Sequence, residues 1–171
     1  MIQSLKLENA PDIRHVCKTL AYLTLNENRI QYLPVHYLEN CDCLEEFVMM
    51  KNNVQIMPDV ADVANTLRGI ELARNRIESC GSLCETRMSV LVVLDLHYNL
   101  LSHISLDTAL LNWPRIRIVD LSNNRLQQLP DLSQLYPPYF TMNSRGIVYV
   151  TNNPLHCNSS MAWMMGKTYL V

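Results

Sequence analysis

Hydrophobic and polar positions along this chain follow one pattern that recurs five times. The pattern reads apolar-x-x-apolar-x-apolar-x-x-Asn-x-apolar-x-x-apolar, with Cys80 filling the last position of the third copy. The copies begin at residues 20, 44, 67, 91 and 116, so the steps between them are 24, 23, 24 and 25 residues. A fixed period of this length indicates a repeat architecture. The spacing does not follow one face of a helix, which argues against an array of amphipathic helices.

Each copy contains two apolar residues separated by one position, the period of a short strand with one buried face. A single strand of this kind cannot bury its apolar face alone, so parallel copies must stack and share one core. The pattern therefore predicts a solenoid. Its five strands are expected at Leu23–Leu25, Phe47–Met49, Ile70–Leu72, Leu94–Leu96 and Val119–Leu121.

An asparagine follows each predicted strand at the same offset. A tight inward turn after a buried strand would leave backbone polar groups without partners, and a polar side chain there can satisfy them. We therefore interpret this position as structural. It is occupied by Asn28, Asn52, Asn75, Asn99 and Asn124, and Asn153 fits the same position in a sixth, less regular copy.

These residues resemble the leucine-rich repeat family, whose signature is LxxLxLxxNxL, from Leu20 to about Leu155. The resemblance implies an α/β leucine-rich repeat solenoid with a curved parallel β-sheet on the concave face and short helices or turns on the convex face. We expect one domain over residues 1–171: an irregular first repeat (1–19), five regular repeats (20–144), and a last repeat with a partial cap (145–171). In the first repeat Ile2, Leu5 and Leu7 fit the apolar positions, with Asn9 one residue early.

The C-terminal segment is similar to the start of the cysteine-rich cap of extracellular leucine-rich repeat proteins. It reads NPLHC up to Cys157 and then MAW at 161–163. A solenoid needs an atypical terminal unit to cover its core. Ser159 stands where that cap has its second cysteine, and no later cysteine follows. We therefore expect Cys157 to be a free thiol and the chain to be a fragment or a truncated product.

Five further cysteines lie upstream. Cys17 and Cys41 each stand three residues before a repeat start, at a buried position where a free cysteine behaves as a small hydrophobe. We interpret them as free thiols, although at one repeat apart they could also bridge. Tight spacing occurs only in C-x-C at residues 41–43 and C-x-x-x-C at residues 80–84, and no second pair completes a zinc site. The pairing of Cys17, Cys41, Cys43, Cys80 and Cys84 stays open, and no metal or cofactor is expected.

The strand residues that point away from the core are the candidate binding surface. Tyrosines and arginines interleaved on a rigid sheet suit protein binding. Glu71, Asp95 and Asp120 would stack about 4.8 Å apart on adjacent strands and could attract a basic partner. Alternatively, Asp is simply common at this position in the family, with arginines as neutralising neighbours. The predicted partner-binding residues are Tyr22, Glu46, Met50, Arg68, Glu71, Arg74, Asp95, His97, Tyr98, Arg117, Asp120 and Tyr149.

Composition narrows the picture by exclusion. A hydrophobic content of 49% indicates a folded domain, and a net charge of −2 gives no basic footprint for nucleic acid. No grouping of nucleophile, base and oxyanion hole points to an enzyme. No apolar stretch of about 18 residues and no signal peptide are visible, so membrane attachment is expected only through missing flanking segments.

The sequence thus predicts a non-enzymatic module that binds a protein ligand, with no nucleic acid and no small-molecule substrate. The cap resemblance implies a secreted or cell-surface protein of adhesion, axon guidance or innate recognition, and so an extracellular or cell-surface location. In that setting Asn158, in the sequon Asn158-Ser159-Ser160, is a glycosylation candidate. The alternative is a cytoplasmic leucine-rich repeat scaffold or enzyme regulator, which the missing signal peptide favours.

Overall fold

The fold is a single open sheet of six parallel strands, each paired with the next one along the chain. The structure, a computed structural model, describes residues 3–132, 146–156 and 158–164. Because every strand neighbours its sequence neighbour, the repeats stack in chain order, as the periodic pattern predicts. The strands are β1 (Tyr22–Thr24), β2 (Glu46–Val48), β3 (Gly69–Glu71), β4 (Val93–Asp95), β5 (Ile118–Asp120) and β6 (Ile147–Tyr149).

The five predicted strands are confirmed, with bounds one residue later than those observed. Hydrogen bonding continues past each observed end, since the Leu25 N–H donates to the Val48 carbonyl at 2.8 Å. β6 adds a strand in the sixth copy. The central strand residues face one another across the sheet and are at most 4% exposed, so they form a continuous core. They are Leu23, Phe47, Ile70, Leu94, Val119 and Val148.

Short helices lie on the side of the repeats away from the sheet, as the resemblance implies. Within the described residues they are the α-helix α1 (Leu106–Asn112) and four 3-10 helices, at Cys17–Thr19, Ala61–Val63, Gly81–Cys84 and Ser159–Met164. The Asn112 side chain of α1 donates to the Cys84 carbonyl at 3.2 Å, which joins two consecutive repeats. The position three residues before each repeat start is buried throughout. It holds Cys17, Cys41, Ala64, Met88 and Trp113.

Six asparagines form a continuous hydrogen-bonded ladder along the solenoid. Asn99 shows the unit: its Nδ2 donates to the carbonyls of Leu96 in its own repeat and Leu72 in the preceding one, both at 3.0 Å. Its Oδ1 accepts the N–H of Ile77, also at 3.0 Å. Each asparagine therefore satisfies buried backbone groups of two repeats at once. Similar contacts are made by Asn52, Asn75, Asn124 and Asn153, and Asn28 contacts the segment before β1.

The residue before each ladder asparagine adopts a left-handed backbone conformation. Its φ lies between 53° and 58° in all six repeats, although none of these residues is glycine. This conformation turns the chain off the strand and directs the asparagine inward, and its recurrence shows that the surrounding stack enforces it. The six residues are Glu27, Lys51, Arg74, Tyr98, Asn123 and Asn152.

The first repeat is irregular, but its register differs from the prediction. The Leu7 N–H donates to Asn28 Oδ1 at 3.0 Å, and the Leu7 carbonyl accepts the Arg29 N–H at 2.7 Å. Ile30 makes the corresponding contact to Asn52 in the next repeat. Leu7 therefore occupies the apolar position after the asparagine, Leu5 takes the asparagine's place, and Ser4 has the left-handed φ of 58°. The described residues from Ser4 to Leu7 therefore correspond to the second half of a repeat, and the assignment of Leu5 and Leu7 to strand positions was wrong.

The prediction that Cys17 and Cys41 are free thiols is also wrong. The two residues are joined by a disulfide, with their Cα atoms 4.2 Å apart and both side chains 1% exposed. Equivalent positions of adjacent parallel repeats lie about one strand spacing apart, which is within disulfide reach. A second disulfide joins Cys80 to Cys84, with Cα atoms 6.0 Å apart. Cys43 is free and exposed.

The C-terminal segment follows β6 with a turn and the 3-10 helix Ser159–Met164. Met161 is buried, and Trp163 packs partly buried against the same core, so this segment covers part of the last repeat. Asn158 is exposed just before the helix. Cys157 lies outside the described residues, so its predicted free thiol stays a prediction. Among the described residues, no helix has both the length and the apolar character needed to cross a bilayer.

Candidate functional site

The outward positions of the six strands and of the residues just after them form one surface, most of it partly exposed, here called the concave face. Strand register arranges it in rows. Before the central core residue lie Tyr22, Glu46, Gly69, Val93, Ile118 and Ile147. After it lie Thr24, Val48, Glu71, Asp95, Asp120 and Tyr149, and two residues further along lie Asn26, Met50, Ala73, His97, Ser122 and Thr151.

Eight of the twelve predicted partner-binding residues lie in these rows, and Arg68, Arg74, Tyr98 and Arg117 do not. Arg68 and Arg117 each directly precede a strand, and Gly69 and Ile118 take the outward positions instead. The Arg68 side chain pairs with Glu45 at 3.4 Å, beyond the edge of the concave face. The sequence predicted that these arginines alternate with the strand carboxylates. In the structure they lie outside the first two rows.

The concave face carries a line of four carboxylates across β2 to β5, here called the acidic lane: Glu46, Glu71, Asp95 and Asp120. Glu71, Asp95 and Asp120 stand opposite one another on three consecutive strands. Glu46 lies over Gly69, where a Cβ would meet its Oε2 at 2.5 Å, so the glycine gives this side chain room. The pKa of Glu71 is raised above its usual value, mainly by partial burial and to a lesser extent by the charges of Asp95 and Glu46. Like charges held this close destabilise the fold.

His97 stands at the centre of the lane's polar contacts. Its Nδ1 lies 2.6 Å from Asp95 Oδ1, and its backbone N–H donates to the same oxygen at 3.0 Å. Asp120 Oδ1 accepts the Ser122 hydroxyl at 2.6 Å in the same way. Ligand atoms of Asp95, His97 and Asp120 lie within 4.8 Å of one another, a set that could hold a divalent metal ion. The sequence pattern misses this set because its members are spread over two repeats.

An aromatic and cationic pair borders the concave face on the asparagine side. The Arg74 guanidinium lies 4.4 Å from the centroid of the Tyr98 ring, and the Tyr98 ring meets His97 edge-on at 5.5 Å between centroids. Both Arg74 and Tyr98 occupy left-handed positions before ladder asparagines, which places them on adjacent repeats. Tyr98 remains 46% exposed, so its ring offers an apolar contact to a partner.

Three aliphatic residues on the concave face are absent from the predicted partner-binding residues. Val93, Ile118 and Ile147 stand opposite one another on β4, β5 and β6, here called the apolar lane. Ile118 is 39% exposed, and the other two are partly exposed. The apolar lane runs beside the acidic lane, two residues away along each strand. A strand register that is correct to one residue would have identified it.

A cavity of about 510 Å³ lies elsewhere, between the N-terminal segment and the loop after β1. Its walls include Pro11, Arg14, Val35 and Tyr37, and none of its lining residues belongs to the concave face. The Tyr37 hydroxyl donates to the Pro11 carbonyl at 2.8 Å, and burial raises the pKa of Tyr37. These contacts hold the first, incomplete repeat against the second.

Replacing Glu71 with glutamine should stabilise the protein at neutral pH. The raised pKa means that the native state disfavours the ionised carboxylate, so the cost is present at pH 7 and is lost as the pH falls through the native pKa and below the unfolded one. We expect Glu71→Gln to gain up to about 1 kcal/mol in urea unfolding at pH 7 and nothing near pH 3. A gain that is equal at both pH values would contradict this electrostatic origin.

The chain resembles known proteins in sequence and in fold. No protein-family model matches it. It is 31% identical over 109 residues to the leucine-rich repeat and fibronectin type III domain-containing protein 1 of Danio rerio, a match that covers 60% of this chain and 18% of that protein. The chain thus spans less than a fifth of the length of this curated relative.

A solved structure shares the fold. It is a chain of the "octameric complex of Latrophilin 3 (Lec, Olf), Unc5D (Ig, Ig2, TSP1) and FLRT2 (LRR)", with a TM-score of 0.68 and 21% identity. The match covers 88% of this chain and 46% of that chain. At this identity the likeness concerns the arrangement of strands and turns.

Proposed function

We propose that this chain, which resembles leucine-rich repeat proteins in sequence and in fold, is a non-enzymatic protein-binding module that docks a protein ligand on its concave face. The observation that carries the proposal is the exposed concave face itself. It combines partly exposed aromatic, aliphatic and acidic side chains on a hydrogen-bonded sheet. A preorganised surface of this kind loses little conformational entropy when a partner binds.

The contacts of the concave face support a recognition role. Tyr22 is 65% exposed and Tyr98 is 46% exposed, and tyrosine is among the residues enriched at binding hot spots. Tyr22 directly precedes the buried Leu23 and Tyr98 directly precedes the buried Asn99, so the two rings stand at opposite ends of a path over four strands. The proposed partner-binding residues are Tyr22, Glu46, Met50, Glu71, Arg74, Asp95, His97, Tyr98, Asp120 and Tyr149.

We propose further that the module works outside the cell or at its surface. Disulfides persist in oxidising compartments and are rare in the cytosol, and two of them join described cysteines. The similar zebrafish protein is a leucine-rich repeat and fibronectin type III domain protein, and the solved relative belongs to a complex of several proteins. The cytoplasmic scaffold or regulator, the alternative, would have to keep a buried Cys17–Cys41 disulfide in a reducing environment.

A binding screen tests the proposal. The purified chain, biotinylated and tetramerised, is applied to an array of secreted proteins and receptor ectodomains, and hits are measured by biosensor. We expect Tyr98→Ala to weaken the binding of a genuine partner at least about tenfold, the effect of losing a moderate hot spot. Tyr32→Ala is the matched control, because Tyr32 is 58% exposed but lies off the sheet. Equal loss in both variants would place the site away from the concave face.

A further inference from the structure

We propose that the protein partner docks a basic segment on this face, with lysine or arginine side chains over the acidic lane and apolar side chains over the apolar lane. The inference rests on the proposed function and adds the chemistry of the ligand to it. It follows from charge, register and exposure of the strand residues.

The concave face carries an excess of negative charge. Its three rows hold four carboxylates and one histidine, and none of their eighteen positions is lysine or arginine. The whole chain carries a net charge of only −2. Negative charge is therefore concentrated on the one surface whose side chains are held in register.

The lysine and arginine side chains near the concave face contact groups outside the acidic lane. Lys51 Nζ contacts Glu27 at 2.7 Å, Arg68 contacts Glu45 at 3.4 Å, and Arg74 lies over Tyr98. Arg117 has a partner as well. Across the part of the chain that the structure describes, no lysine or arginine forms an ion pair with a carboxylate of the acidic lane, and the basic side chain that contacts one is His97, at Asp95.

The acidic lane destabilises the fold through electrostatic repulsion. Carboxylates that stand opposite one another on adjacent strands repel each other. A partner that supplies cations relieves this repulsion and excludes water from it, so each contact strengthens in the lower dielectric of the interface. The fold alone does not need these charges, because neutral side chains at the same positions would remove the repulsion.

The apolar lane argues against a ligand that binds through charge alone. Val93, Ile118 and Ile147 lie beside the carboxylates and are partly open to solvent. A small cation or a uniformly charged chain would leave them uncovered. A protein segment in which basic and apolar side chains are mixed covers both lanes at once. Nucleic acid, which is itself anionic, would be repelled.

An unbiased peptide selection tests the inference. The probe is a yeast-displayed library of random 15-residue peptides, selected with the biotinylated chain at 50 mM salt. Enriched peptides should carry net positive charge with lysine or arginine interleaved with apolar residues. Their affinity should fall at least about tenfold between 50 and 300 mM salt, because screening acts on exposed charge pairs.

Two triple variants provide the contrast. Glu71→Gln, Asp95→Asn and Asp120→Asn together should weaken the enriched peptides at least about tenfold. Glu78→Gln, Glu85→Gln and Asp107→Asn remove the same number of charges from exposed positions off the concave face and should leave affinity unchanged. The substitutions are nearly isosteric, and circular dichroism of both variants checks that they fold.

Each other outcome overturns the inference. Neutral or acidic enriched peptides, or equal loss in both triple variants, would show that the acidic lane does not select the ligand. Binding that disappears with EDTA and with His97→Ala would assign the neutralising charge to a metal ion held by Asp95, His97 and Asp120. Neutral peptides that still lose affinity with Tyr98→Ala would remove this inference and keep the proposed function. Failure to enrich any Tyr98-sensitive peptide would count against both.

Discussion

Asn99→Ala should lower the free energy of unfolding by about 3 kcal/mol, the upper end of the range for buried groups left without partners. Asn99 is only 4% exposed and holds three backbone groups of two repeats at 3.0 Å each. Alanine supplies none of these bonds, so the three backbone groups lose their partners. Urea unfolding followed by circular dichroism measures the change, and amide exchange at Ile77 should accelerate locally.

Two further variants show whether the ladder is responsible. Asn53→Ala changes a partly exposed asparagine next to the ladder residue Asn52 and should cost less than about 0.5 kcal/mol. Asn99→Asp keeps the acceptor for Ile77 but sets a carboxylate against two carbonyl oxygens, so it should destabilise as well. An Asn99→Ala midpoint equal to that of wild type would mean that water replaces the side chain.

Removing the Cys17–Cys41 disulfide should also cost about 3 kcal/mol, because the bond closes a 24-residue separation in the unfolded chain. The double variant Cys17→Ala/Cys41→Ala is compared with wild type by urea unfolding under oxidising conditions. A reducing agent should lower the wild-type midpoint toward that of the variant. The bond ties the first full repeat to the second, so the loss should be greatest at the N-terminal end.

The other cysteines provide the controls for this experiment. The bond between Cys80 and Cys84 closes a separation of only four residues, so its removal should cost less, about 2 kcal/mol. Cys43→Ala should change nothing, since that thiol is free and exposed. Insensitivity of the wild-type midpoint to reductant would contradict a stabilising role for the disulfides and would favour the cytoplasmic alternative.

The repeat period by itself determined the architecture. Residues at equal offsets in successive copies must occupy equal places in a stack, because one strand with one buried face is stable only beside its neighbours. The apolar pairs around Leu23 and Phe47, the inward asparagines and the buried position of Trp113 all follow from that argument. The same argument brings Glu71, Asp95 and Asp120 together, since register is the only information needed.

Features that depend on a shift of one residue required the tertiary structure. The first repeat has two apolar residues at a plausible spacing, yet its hydrogen bonds to Asn28 place Leu7 in a different position. Arg68 and Arg117 lie one residue outside the strand rows, because a strand reverses its facing at every residue and the pattern locates strand ends less sharply.

Side-chain contacts also depended on the tertiary structure. The sequence places Cys17 and Cys41 one repeat apart, but a buried thiol pair and a disulfide have the same pattern, and only the bond between the two sulfur atoms in the structure distinguishes them. His97 meets Asp120 across two repeats, and Glu46 lies over Gly69, through side-chain rotations that no periodicity encodes. Period and register are properties of the backbone repeat and can be read from the order of residues, whereas contacts between side chains depend on distances that exist only once the repeats are stacked.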